Sequence, residues 1–278
     1  AKAKAQERKQ QAKAQKQALK QGEQPQTKPR LYVINFKGSP DAREAQALRE
    51  EITTILAVAR PEQDQVLLSL ESPGGYVHAY GFAASQLVRL KDKGIKLTVA
   101  VDKVAASGGY LMAVIADEIV AAPFAVVGSI GVVANVPNFN RLLKKHEVDY
   151  EVYTAGPYKR TVTMLGENTP EGKEKFKEEL AQTHELFKNF VSKYRPQLDL
   201  EKVATGEHWY GQQALALNLV DKLATSDDLI QQALADKEVV GLRFKEKKSL
   251  LQKVGSQAEE SSVNIVSKLF HSQDKSLY

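Results

Sequence analysis

The residue in this chain best surrounded for chemistry is Ser107, in the stretch Val-Ala-Ala-Ser-Gly-Gly-Tyr at positions 104–110. Two alanines precede it and two glycines follow, so nothing bulky shields its hydroxyl. Gly108 and Gly109 leave the backbone free to turn its amides toward whatever the serine attacks. A hydroxyl nucleophile beside donors aimed at a developing oxyanion is what acyl transfer requires. A second pair, Gly74-Gly75, ends the stretch Glu-Ser-Pro-Gly-Gly at 71–75. A serine beside two glycines is also a common turn, so the choice rests on what else converges there.

A serine nucleophile needs a base. The histidines are His78, His146, His184, His208 and His271. His184 falls within a long charged segment and reads as a surface residue, and His146 ends a short helix. His78, just past the first glycine pair, is the one near the presumed cleft, so a Ser-His-Asp triad stays open as an alternative. The G-x-S-x-G elbow is absent, because Ala105 stands at its first glycine position. Lysine is the other base used with serine, and it acts only where desolvation or nearby positive charge keeps it neutral. Most lysines here lie in charged runs. Lys159 differs, following Gly156-Pro157-Tyr158 and preceding Arg160-Thr161-Val162-Thr163. From its surroundings alone it is either a base or a surface charge.

The elements that must position these residues follow from hydrophobic periodicity. Leu31–Phe36, Gln65–Leu70 and Leu97–Val101 are apolar runs of strand length, with further strands expected at 118–122, 126–133, 149–154 and 238–244. The run at 31–36 reads as buried on both faces. Helical spacing covers 48–59, stopped by Pro61, and 77–93, closed by Gly94. Short helices are expected after Ser107, at 137–146, 212–217 and 227–234, with a long charged one from Pro170 to Tyr194 before Pro196. Alternation of strand and helix predicts an α/β fold with a mainly parallel sheet. Both glycine pairs then sit past the carboxyl ends of adjacent strands, where active sites of such sheets collect.

The chain has 278 residues and no cysteine, which excludes disulfides, thiolate metal sites and a cysteine nucleophile. Its net charge of +5 is unevenly spread. Residues 1–30 hold nine Lys or Arg against two Glu, leaving 30 basic and 32 acidic residues in the remainder. The globular part therefore offers no electrostatic case for nucleic acid. A basic linker is expected at 1–30 and a polar tail at 246–278. No run of eighteen apolar residues occurs, and no secretory signal is evident. The chain begins at alanine, and a basic segment beside an anchor follows the positive-inside rule. Membrane attachment through a segment upstream of residue 1 is therefore expected.

Five blocks carry a resemblance: ESPGGYVHAYG, VDKVAASGGYLMA, APFAVVGSIGVV, GPYKRT and TGEHWYGQQALALNLVD. In this order and spacing, from about Leu31 to Phe244, the chain resembles the signal peptide peptidase A family of serine proteases. The resemblance implies a ClpP/crotonase-like spiral of β-β-α units and a Ser-Lys dyad. It makes Ser107 the nucleophile and Lys159, fifty-two positions later, the general base. It places Gly75 and Gly108 at the oxyanion hole and makes Ser129 the residue that orients the lysine. Asn218 departs from the pattern, standing where glycine is usual. The resemblance further implies peptide substrates, no metal or nucleotide cofactor, and a homo-oligomer whose active sites are shared between chains. It also implies a bacterial inner-membrane location with a periplasmic catalytic domain (31–245). Two other readings are a crotonase-type acyl-CoA enzyme, for which only Glu71 and Asp102 are near, and a non-catalytic scaffold.

Overall fold

The computed structural model of the protein describes residues 28–245. The expected linker, up to residue 27, and the expected tail at 246–278 lie outside the described residues. All the elements named below belong to a compact unit that ends at Arg243.

The chain opens β1 (Arg30–Lys37), α1 (Ala45–Val58), β2 (Gln65–Glu71), α2 (Val77–Asp92), β3 (Lys96–Val101). It continues through β4 (Val104–Ala106), α3 (Gly108–Ala113), β5 (Glu118–Ala121) and β6 (Val126–Gly128). Then come α4 (Asn140–Lys145), α5 (Pro170–Tyr194), α6 (Leu200–Val203), β7 (His208–Tyr210), α7 (Gly211–Ala216), β8 (Lys222–Leu223), α8 (Ser226–Ala233) and β9 (Glu238–Gly241).

Six strands form one parallel sheet in the order β8-β5-β3-β2-β1-β9. This is the expected α/β fold, consistent with the ClpP/crotonase-like clan. β1 is buried on both faces. Tyr32, Ile34 and Phe36 join the main core with α1, α2 and α3, while Leu31 and Val33 meet Leu67, Ala100 and Ala233 on the other side. Burying an apolar side chain of this size contributes about 1.5–3 kcal/mol, so the central strands fix the sheet before any site residue is placed.

A smaller sheet, β4-β6-β7, pairs β4 with β6 in parallel and β6 with β7 antiparallel. A single bridge from Ser72 to Ala105 joins it to the carboxyl end of β2. Neither β4 nor β7 is legible as a strand, because each spans only three residues. Two expected strands are corrected. The run at 126–133 stops at Gly128, because Gly128 and Ser129 both take positive φ (96° and 52°) and break the extended backbone. Residues 149–154 are irregular: their alternation of Val and Tyr meets no sheet edge, and those side chains face an open cavity instead.

Asp64 ties the start of β2 to β1. Its carboxylate accepts from the Arg30 and Arg60 backbone amides (2.8 and 2.9 Å) and from the Arg60 side chain (2.7 Å). Burial would push this carboxyl up, but the hydrogen bonds from Arg60 and Arg30 outweigh it and hold it below the usual carboxylate range. A carboxyl lowered by folding stabilises above its unfolded value of about 4 and stops doing so as pH falls through the folded value. Asp64→Ala is expected to cost about 2 kcal/mol at pH 7 in urea unfolding, with the difference from wild type shrinking below about pH 4.

Candidate active site

Ser107 sits at the junction of β4 and α3 with φ 51° and ψ −120°. A positive φ at a serine is strained by roughly 1–3 kcal/mol, and such strain gathers at functional sites. Two hydrogen bonds hold the conformation: its amide donates to Gly128 O (2.8 Å), and its carbonyl accepts from the Leu111 amide (2.9 Å). The side chain is half-buried and makes no capping bond to the helix it precedes. As the first residue of α3, Gly108 has an amide that no intrahelical carbonyl satisfies.

The Gly74-Gly75 turn is pressed against this junction. Gly74, at φ 91°, lies so close that a Cβ there would stand 2.7 Å from Ser107 Cβ and 2.8 Å from the Gly108 amide nitrogen. On the opposite side a Cβ on Gly75 would meet Pro40 O at 1.9 Å. The Gly74 amide donates to Ser72 Oγ (3.1 Å) and the Tyr76 amide to Pro40 O (2.8 Å), with Gly75 between them. Ser107, Gly108 and Gly75 are therefore brought to one place.

Ser129 stands beside them. It follows the Gly128 carbonyl that holds the Ser107 amide, takes φ 52°, and donates its own amide to Glu207 O (2.7 Å). A Cβ on Gly128 would meet the Trp209 ring at 2.8 Å, so β7 backs this turn.

Lys159 is placed elsewhere. It lies on a turn closed by its amide and Gly156 O (3.2 Å), is exposed, and lines an open cavity of about 900 Å³ with Phe139, Tyr150, Val152 and Met164. Ser107 does not line that cavity. Among the described residues, no hydrogen bond joins the two side chains, and none pairs the Lys159 ammonium with a carboxylate.

Among the described residues, no hydrogen bond joins a histidine ring to the Ser107 side chain. His78 is exposed and stacks on Tyr76, with ring centroids 5.9 Å apart. His184 is not the surface residue expected: it is half-buried, and its ring lies 3.1 Å from Ile130 O. Glu71 pairs with Lys37 and Lys103, and Asp102 accepts from Ser226, so both acids are engaged in surface pairing or in capping α8. Asn218 has φ 59°, a left-handed conformation that asparagine tolerates better than most residues. Its departure from glycine is thus accommodated. The structure adds Ser72 and Tyr80, which pattern reasoning passes over because their importance lies in contacts across the fold.

A strained serine beside two glycine turns at strand ends has what an acyl-transfer nucleophile needs, and the family models place the chain among peptidases. Residues 89–240 match the model described as peptidase family S49, and residues 1–87 match peptidase family S49 N-terminal. The chain belongs to peptidase family S49, the signal peptide peptidase A family, and is a serine-type peptidase of the SohB type. It is 64% identical over 250 residues to a probable protease SohB of Haemophilus influenzae, covering 89% of this chain and 70% of that one. It is 58% identical over 205 residues to a probable protease SohB of Buchnera aphidicola subsp. Schlechtendalia chinensis (74% and 67% covered). Its identity to that of Buchnera aphidicola subsp. Acyrthosiphon pisum is 50% over 243 residues (87% and 72% covered).

Proposed function

We propose that residues 31–245 form an ATP-independent serine endopeptidase domain working with a Ser107–Lys159 dyad. The observation that carries this is the positive-φ Ser107 held between the Gly74-Gly75 turn and the Gly108 amide. Lys159 takes the Ser107 proton as Oγ attacks the scissile carbonyl carbon. The oxyanion is met by the Gly75 and Gly108 amides. The lysine ammonium then gives its proton to the leaving amine, the C–N bond breaks, and an acyl-enzyme remains. Water, deprotonated by Lys159, attacks the ester, the acyl C–Oγ bond breaks as the lysine ammonium returns its proton to Ser107 Oγ, and a carboxylic acid product leaves. Ser129 orients the lysine.

The lysine comes from a neighbouring copy of the chain. Exposed apolar residues from 133 to 165 support this: Val133 is 80% and Tyr153 87% exposed, and Tyr150, Val152 and Met164 are exposed as well. Apolar surface of this extent marks a protein contact. The face of α5 is less free: Val191 is buried, Phe187 and Phe190 pack on the core, and Leu186 is exposed. The substrates are signal-type or membrane-derived peptides at the bacterial inner membrane, with the domain on the periplasmic side. No helix among the described residues is long and apolar enough to cross a membrane.

Lys159→Ala is expected to lower kcat on an unstructured peptide with apolar side chains by about a thousandfold, the scale of a lost general base. Lys159→Arg should fare no better, because a guanidinium does not give up its proton. Near-normal turnover by both variants would remove Lys159 from the mechanism.

A further inference from the structure

We propose that Ser72 and Tyr80 are positioning residues that set the Gly74-Gly75 turn for catalysis. The inference rests on the reading of the Gly75 and Gly108 amides as the oxyanion hole. Both side chains are fully buried. Tyr80 OH donates to Ser39 O (2.9 Å), a carbonyl that only accepts. Its single proton is thus spent, so Ser72 Oγ–H donates to Tyr80 OH (2.5 Å). The Ser72 lone pair left over accepts the Gly74 amide (3.1 Å). Burial pushes the Tyr80 phenol up, which keeps it a neutral donor.

The result is one directed chain, Gly74 N–H to Ser72 to Tyr80 to Ser39 O, running from the catalytic turn to the loop at 38–40. The same loop grips the far side of the turn, where Pro40 O accepts the Tyr76 amide (2.8 Å) and blocks any Cβ on Gly75. Packing adds to this. A Cβ on Gly108 would strike the Tyr80 ring at 2.4 Å, and one on Gly109 would reach Ser72 O at 2.6 Å. The Ser72 side chain thus holds the turn that carries Gly75, and the Tyr80 ring packs against Gly108, so both oxyanion donors of the proposed mechanism are set by this pair. Core packing alone requires the Tyr80 ring but not its hydroxyl. A buried hydroxyl is tolerated only when hydrogen-bonded, and here its two bonds tie the turn, through Ser72, to the 38–40 loop.

The test uses Tyr80→Phe, Ser72→Ala and the double variant of the full chain, with Ser107→Ala as reference, on the same unstructured peptide. Each single change is expected to lower kcat about tenfold, a fraction of what losing an oxyanion donor costs, with KM within about twofold of wild type. The double variant should lose no more than either single one, because both cut one chain. Hydrogen exchange at the Gly74 amide should quicken in both. Tyr80→Phe keeps the ring, so it carries the test even where Ser72→Ala folds poorly. Wild-type kcat in Tyr80→Phe, with Ser107→Ala inactive, overturns the positioning role and leaves the catalytic reading standing. Additive losses, or a lower melting temperature with Gly74 exchange unchanged, also overturn it, by showing a packing role only. Full activity in Ser107→Ala overturns the catalytic reading, and the positioning role with it.

Discussion

Ser107→Ala is expected to lower peptide hydrolysis by roughly 10⁵–10⁶-fold, the scale seen when a serine nucleophile is removed. The change takes away Oγ and little else. The two backbone bonds that hold residue 107, to Gly128 O and from the Leu111 amide, do not involve the side chain. Alanine suffers the same strain at φ 51° as serine does. The melting temperature should therefore stay close to that of wild type while turnover disappears. Ser107→Gly separates the two effects further. Glycine relieves the positive φ, so this variant should be inactive yet more stable by about 1 kcal/mol. Progress curves on a peptide and a thermal melt of each variant check both statements. Unchanged cleavage by Ser107→Ala would place the nucleophile elsewhere.

Gly75→Ala strikes the other half of the site, the oxyanion hole, through the backbone. The added methyl would stand 1.9 Å from Pro40 O, and the next atoms in its way, 2.6 and 2.7 Å off, are also Pro40 backbone. A flexible side chain could swing aside from such a clash, but backbone cannot. The turn must move relative to the 38–40 loop and takes the Gly75 amide with it. Displacing one oxyanion donor is expected to lower kcat about a hundredfold or more, with substrate KM changing far less. Gly81→Ala is the control. It lies in α2 with nothing within 4 Å of a built Cβ, so activity should persist and stability rise by about 0.5–1 kcal/mol. Activity kept in Gly75→Ala would argue that the 75 amide does not face the reaction.

Much of the scaffold was legible because long apolar periodicity reports burial directly. The long helix was read with both ends, since Thr169 caps it, Pro170 opens it and Pro196 follows its end. The strands at β1, β2 and β3 were read within a residue or two for the same reason: their apolar runs are buried on both sides. The failures have a common cause. β4 and β7 owe their extended form to partners distant in sequence, Val126–Gly128 for both. The segment at 149–154 has the composition of a strand but joins no sheet among the described residues. In the site, Ser107 and the glycines were visible as small residues at strand ends. Ser72 and Tyr80 were not, because a buried hydroxyl has no sequence signature until its partner is known. Lys159 stands out from the lysines in charged runs, but its local sequence leaves it open between a base and a surface charge, and only the resemblance makes it the base. His184 illustrates the reverse error: its place in a charged helix hid a contact with Ile130 O across the fold.

The most direct measurement mixes Ser107→Ala with Lys159→Ala under conditions that allow subunit exchange and follows cleavage of an unstructured peptide. If Ser107 of one chain works with Lys159 of its neighbour, each variant alone is inactive and the mixture regains cleavage. Cleavage by Ser107→Ala alone, or a mixture that stays silent after exchange is complete, would contradict the shared Ser107–Lys159 site.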